Sequence, residues 1–198
     1  MNLVNSKLFI LLSILMGIIV IFSNYLVQFP IKYYGLQDIL TYGALSYPLT
    51  FLITDLANRA FGKDIAKKIV YIGFIIGVLL SLFVSVNFSE TLSIRIAIGS
   101  GVAFLVAQSI DIKIFDRLRY KAWFIAPISS SFLGSVIDTF LFFSIAFYNT
   151  GISWVTLAFG DLIVKILMAL IMLIPFRLLI IKIKDISEIK TSENINRV

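Results

Sequence analysis

Six apolar stretches, each about as long as the hydrocarbon core of a bilayer requires, leave this chain few other ways to fold. They cover residues 8–29, 39–57, 69–88, 94–115, 123–148 and 154–181. A helix needs about 20 mostly apolar residues to cross that core. The breaks fall in turn-forming or charged segments at 30–38, 58–68, 89–93, 116–122 and 149–153. A membrane β-barrel would instead alternate polar and apolar residues in segments of about ten. Composition points the same way: 60 % of the 198 residues are apolar and 14 % are charged. The mean hydropathy is +1.01, and soluble domains carry roughly a quarter charged residues. The expected fold is an all-α membrane protein. Residues 1–183 form one bundle of six transmembrane helices, and 184–198 form a polar cytoplasmic tail expected to be disordered.

The net charge of +6 would suggest nucleic acid in a soluble chain. Here its distribution reads as a topology signal. Arg59, Lys63, Lys67 and Lys68 follow the second stretch, and Lys113, Arg117, Arg119 and Lys121 surround the end of the fourth. Arg177, Lys182, Lys184, Lys190 and Arg197 end the chain, whereas the alternate loops hold only Lys32 and Arg95. Loops rich in Lys and Arg stay in the cytoplasm, so both termini are expected there, in a bacterial inner membrane. Lys7 precedes an apolar run of full span length with no small-residue cleavage site after it, which reads as a retained first helix. No nucleic-acid partner is expected; the bilayer is the partner.

Residue types that are missing narrow the chemistry. There is no Cys and no His, which excludes thiolate and imidazole metal ligands and nucleophile–imidazole catalysis. No metal or other cofactor is expected. The pair Gly62-Lys63 has Ala57 where a phosphate-binding loop needs its first glycine, so the chain does not power transport with ATP. A membrane enzyme working through carboxylates alone is the remaining enzymatic reading, and an enzyme is not expected.

Function should lie in the polar groups that a bilayer penalises. They form two layers. The outer-to-central layer holds Asn24, Gln28, Ser135, Asp138, Asp161 and Lys165; the inner layer holds Asp55, Arg59, Gln108, Asp111 and Arg117. Asp55 and Arg59, like Asp161 and Lys165, are four residues apart and can pair on one helix face. Either pair can be a plain structural ion pair. Gln108 and Asp111 share a face. Asp138 has no cation on its own helix and ends a ridge of Ser131 and Ser135, so it is expected to stand unpaired toward a cavity. Ser130 and Gly134 add a small-residue spacing that lets a neighbouring helix approach. The inner layer is expected to serve as a gate or a structural polar layer, and the outer one to bind substrate.

Several motifs lie in this frame. Ser23-Asn24-Tyr25-Leu26-Val27-Gln28-Phe29-Pro30 closes the first stretch, and Thr41-Tyr42-Gly43-Ala44 opens the second. Phe51-Leu52-Ile53-Thr54-Asp55-Leu56 and Arg59-Ala60-Phe61-Gly62 follow, then Gln108-Ser109-Ile110-Asp111 and Phe115-Asp116-Arg117-Leu118-Arg119. Ala126-Pro127, Gly134, Asp138-Thr139, Asp161 and Lys165 complete the set. From about Ser23 to Pro175 the chain closely resembles the bacterial queuosine precursor transporter family, also called the VUT or YhhQ family. The resemblance implies uptake of 7-cyano- or 7-aminomethyl-7-deazaguanine for the modified tRNA nucleoside queuosine. Similar sequences often carry an amide where this one has Ser135, a departure that brings queuine itself into consideration. A guanine-like base presents a ring N–H and an NH₂ beside a carbonyl. Carboxylates can accept from the two donors, and an amide or Lys can meet the carbonyl. A rival reading is the substrate-binding subunit of an energy-coupling-factor importer, but the first stretch lacks the alanines such subunits use for docking. Whether a second copy or a coupling-factor partner joins the chain stays open.

Overall fold

The computed structural model describes residues 3–26, 29, 31, 33, 40–84, 91–151 and 153–195, and these form seven helices. They are α1 (Leu3–Leu26), α2 (Tyr42–Ser46), α3 (Leu49–Phe61), α4 (Lys63–Val84), α5 (Thr91–Leu118), α6 (Ile125–Phe147) and α7 (Trp154–Ile195). Among the described residues there is no β-strand. Among the described residues four segments are long and apolar enough to cross a membrane: Ser6–Leu26, Ile94–Leu118, Ile125–Phe147 and Trp154–Lys182. The last turns of α7 fall in the residues set apart from the sequence as a polar tail.

The second apolar stretch is not one helix. Pro48 has no N–H to give and its ring crowds the preceding turn, so α2 stops at Ser46 and α3 starts at Leu49. The Tyr47 amide closes α2 on the Gly43 carbonyl at 2.9 Å, and the Thr50 amide reaches the Tyr47 carbonyl at 3.0 Å. A hydrogen bond of 2.9 Å between the Ser23 and Ser46 hydroxyls ties α2 to the end of α1. Gly62, at φ +85°, turns α3 into α4, a backbone angle that costs glycine little.

Side-chain distribution is inverted relative to a water-soluble domain. Ile174 and Leu178 on α7 are 66 % and 64 % exposed, and Ile10, Ile14, Ile18 and Phe22 give α1 an apolar outer stripe. Thr50, Thr54, Asn58, Gln108, Asp111, Ser130 and Thr139 are meanwhile fully buried. Apolar residues outside and polar residues inside suit a solvent of lipid tails.

Close packing positions the polar interior. Gly77 on α4 sits against α1: a Cβ there would lie 2.5 Å from Val20 Cγ1. Gly134 brings α6 onto α3 and α5, since a Cβ there would lie 2.7 Å from the Phe51 ring and 3.5 Å from Asp111 Cβ. At one end of the bundle Arg95 donates to the carbonyls of Ile145 (3.1 Å) and Tyr148 (2.8 Å), satisfying the last turn of α6. The basic residues gather at the other end. There Arg59 and Arg119 each donate to the other's backbone carbonyl, Asp116 pairs with Arg119 at 3.4 Å, and Arg177 lies 5.0 Å over the Trp123 ring.

Candidate functional site

The break between α2 and α3, the middle of α6 and the first turns of α7 enclose a buried ionic cluster. Lys165 is its hub. Its ammonium lies 2.8 Å from Asp138 Oδ2 and 2.5 Å from Asp161 Oδ2, and donates to Thr139 Oγ1 at 3.1 Å. The Thr139 hydroxyl in turn donates to Asp161 Oδ2 at 2.9 Å. The Tyr47 ring, placed by the helix break, faces the ammonium at 5.5 Å, close enough for a cation–π contact, and its side chain reaches the Asp138 carboxylate. Lys165 and Asp138 are almost wholly buried, whereas Asp161 is 13 % exposed at its side chain. Two carboxylates and one ammonium give the cluster a formal charge of −1.

Asp138 is therefore not the unpaired acid expected from its own helix: its cation comes from α7. Spacing along α6 could not reveal that partner. The Asp161–Lys165 pair is present as the four-residue spacing allowed, but it is shared. Ser135, on the ridge leading to Asp138, is 1 % exposed, and its hydroxyl has no partner among the described residues. Asn24 is half-buried near the end of α1, beside the Ser23 that holds α2. Gln28 lies outside the described residues.

A second polar group lies toward the basic end. Asp55 accepts from Ser130 at 3.2 Å and from Ser131 at 3.4 Å. Asp111 faces it from α5. The Asp55–Arg59 pair that the spacing allowed does not form: Asp55 turns to the α6 serines, and Arg59 turns to the Arg119 carbonyl. Arg117 is exposed. The arginine that joins this layer is Arg119, in the turn just past the end of α5, where it bonds the Arg59 carbonyl. Asp55 also lines a cavity of about 10 Å³ with Pro48, Phe51, Pro127, Ser131 and Phe176, room for about one water.

α3 and α5 also share a buried polar network, in which Gln108 was expected and Thr50, Thr54 and Asn58 were not. Thr54 donates to Gln108 Oε1 at 2.6 Å, and Gln108 Nε2 donates to Thr50 Oγ1 at 3.0 Å. Asn58 Nδ2 donates to the Ile112 carbonyl at 2.9 Å. The sequence did carry a signal: Thr50, Thr54 and Asn58 recur every four residues, a polar stripe on one helix face.

The family described as a putative vitamin uptake transporter matches this chain over residues 41–180, a range that contains Asp55, Asp111, Asp138, Asp161 and Lys165. A Haemophilus influenzae protein named a probable queuosine precursor transporter is 36 % identical, with 77 % of each chain covered. An Escherichia coli K12 protein named a queuosine precursor transporter is 32 % identical, with 90 % of each covered. A Bacillus subtilis protein named a probable queuosine precursor transporter is 26 % identical. No solved structure matches.

Proposed function

The chain belongs to the vitamin uptake transporter family, whose curated relatives here are queuosine precursor transporters, and from that premise we propose that it imports 7-deazaguanine bases. The substrates are 7-cyano- and 7-aminomethyl-7-deazaguanine, carried across a bacterial inner membrane by six spans with both termini in the cytoplasm. In this reading α2 and α3 together make the second span and α4 the third.

The observation that carries the proposal is the buried Asp138–Lys165–Asp161 cluster beside a broken helix. Buried ionisable groups in a membrane interior are expensive and mark substrate or ion pathways. Irregular backbone at that depth is tolerated where it is enclosed by protein or lines a cavity. The chemistry matches the substrate. The ring N–H and NH₂ of the base donate to one carboxylate, and Lys165 or the Asn24 amide meets the adjacent carbonyl. The Tyr47 ring offers a face for stacking. As the base takes over one carboxylate, its N–H donors replace the ammonium there while Lys165 remains paired with the other. Ser135 and Gln28 complete the proposed binding set, and the Asp55, Arg59, Gln108, Asp111 and Arg117 layer lies on the inward side.

The test is genetic. In cells unable to synthesise the base, and lacking their own importer and any coupling-factor ATPase, this gene should restore queuosine in tRNA when either precursor is supplied at low concentration. Absence of queuosine despite membrane insertion of the protein would refute the proposal.

A further inference from the structure

Asp55 and Asp111 carry no role in the binding scheme above, yet they are among the most deeply buried polar groups of the protein, at 2 % and 0 % exposure. Both Asp111 carboxyl oxygens lack a hydrogen-bond partner among the described residues. What lies within reach of them is the Asp55 carboxyl, itself an acceptor when ionised. Ser130 is beside both acids, but its single hydroxyl hydrogen is already contested by Asp55 Oδ1 at 3.2 Å and the Pro127 carbonyl at 3.4 Å.

Among the described residues no cation pairs with either acid: Lys165, the buried cation of α7, is held by Asp138 and Asp161. On α3, Arg59 is spent on the Arg119 carbonyl. On α5, Lys113 and Arg117 are exposed, and Arg119, just past the end of α5, serves Asp116 and Arg59. The α6 contribution is Ser130 and Ser131. The α7 residues against Asp55 are Ala169, Met172, Leu173 and Phe176. On α1 and α4, Lys7, Lys63, Asp64, Lys68 and Tyr71 are exposed and Lys67 is half-buried.

We propose that Asp55 and Asp111 form a proton-binding carboxyl pair, separate from the base-binding cluster, through which a proton gradient drives uptake. A proton placed between the two groups turns two facing acceptors into one carboxyl–carboxylate hydrogen bond, and the charge of the pair changes from −2 to −1. The proton arrives from the outer side and leaves to the cytoplasm; no bond of the substrate changes. A route toward the base exists in the fold. Ser131, which holds Asp55, is followed one turn on by Ser135, whose buried hydroxyl is unpartnered among the described residues, and then by Asp138. The ridge spans seven residues, about 10 Å. The cavity beside Asp55 and Ser131, with room for about one water, supplies a second relay point.

This inference rests on the proposed uptake of 7-deazaguanines, and three readings on purified protein in liposomes separate the two. Wild-type protein should take up labelled 7-cyano-7-deazaguanine several-fold faster when the outside is acidic, and should also exchange labelled for unlabelled base without a gradient. Asp111→Asn should keep the exchange and lose the acid stimulation, down to the rate without a gradient. Asp138→Asn should lose both. Infrared difference spectra should contain a protonated-carboxyl band that titrates in wild-type protein and disappears in Asp111→Asn, a reading that does not need transport. Failure of wild-type exchange would refute the substrate assignment. Exchange with acid stimulation intact in Asp111→Asn, or stimulation by a sodium gradient instead of a proton gradient, would overturn the proton pair. So would wild-type spectra without the carboxyl band.

Discussion

Lys165 is the residue on which most of the buried charge depends. Its ammonium touches two carboxylates and one hydroxyl, so Lys165→Met leaves two acids in an apolar interior with no cation. Removing one partner of a buried pair typically costs about 3–5 kcal/mol. The thermal unfolding temperature in detergent should therefore fall sharply for Lys165→Met. It should recover in part when Asp138→Asn is added, because the double variant removes one stranded charge. Equal unfolding temperatures for wild type and Lys165→Met would contradict the cluster. At this scale the sequence was legible in kind and misleading in pairing. Asp138, Asp161, Lys165, Asp55 and Asp111 stood out because lipid penalises ionisable groups wherever they fall. Their partners did not stand out, because spacing reports only neighbours on the same helix. Asp138 looked unpaired for that reason, and Asp55 looked matched to Arg59 when its true partners were serines on α6.

Two glycines with different surroundings test the packing of the helices. A Cβ at Gly77 would drive into Val20 of α1, whereas one at Gly101 would meet only the Phe74 ring, at 3.5 Å and 3.8 Å. Gly77→Ala should lower the unfolding temperature. Gly101→Ala should leave it unchanged or raise it, since Ala is the better helix residue by about 0.5–1 kcal/mol. Pro48 makes a different prediction. Pro48→Ala permits one continuous helix through Tyr47, so the protein should still fold while uptake falls as the Tyr47 ring leaves Lys165. Normal uptake by Pro48→Ala would show that the break has no part in function. Apolar length announced the long helices directly. The interruption at Tyr47–Pro48 was harder to read, because a proline early in an apolar stretch also suits an ordinary first turn.

Across the whole molecule Arg59, Lys63, Arg119 and Arg177 share one end, and Arg95 at the start of α5 caps α6 at the other. The chain has no cysteine, so single introduced cysteines report sidedness cleanly. Tyr120 is 91 % exposed at the basic end, and Tyr148 is 67 % exposed beside the Arg95 cap. In intact spheroplasts a membrane-impermeant maleimide should label Tyr148→Cys and spare Tyr120→Cys; the reverse pattern would invert the orientation. The central claim is that the Asp138–Lys165–Asp161 cluster binds a 7-deazaguanine base. Its most direct test is uptake of labelled 7-cyano-7-deazaguanine by vesicles carrying equal amounts of wild-type, Asp138→Asn or Asp161→Asn protein. The account predicts at least a tenfold loss in one or both variants, on the order of 1.4 kcal/mol or more of lost interaction. Wild-type uptake in both would contradict it.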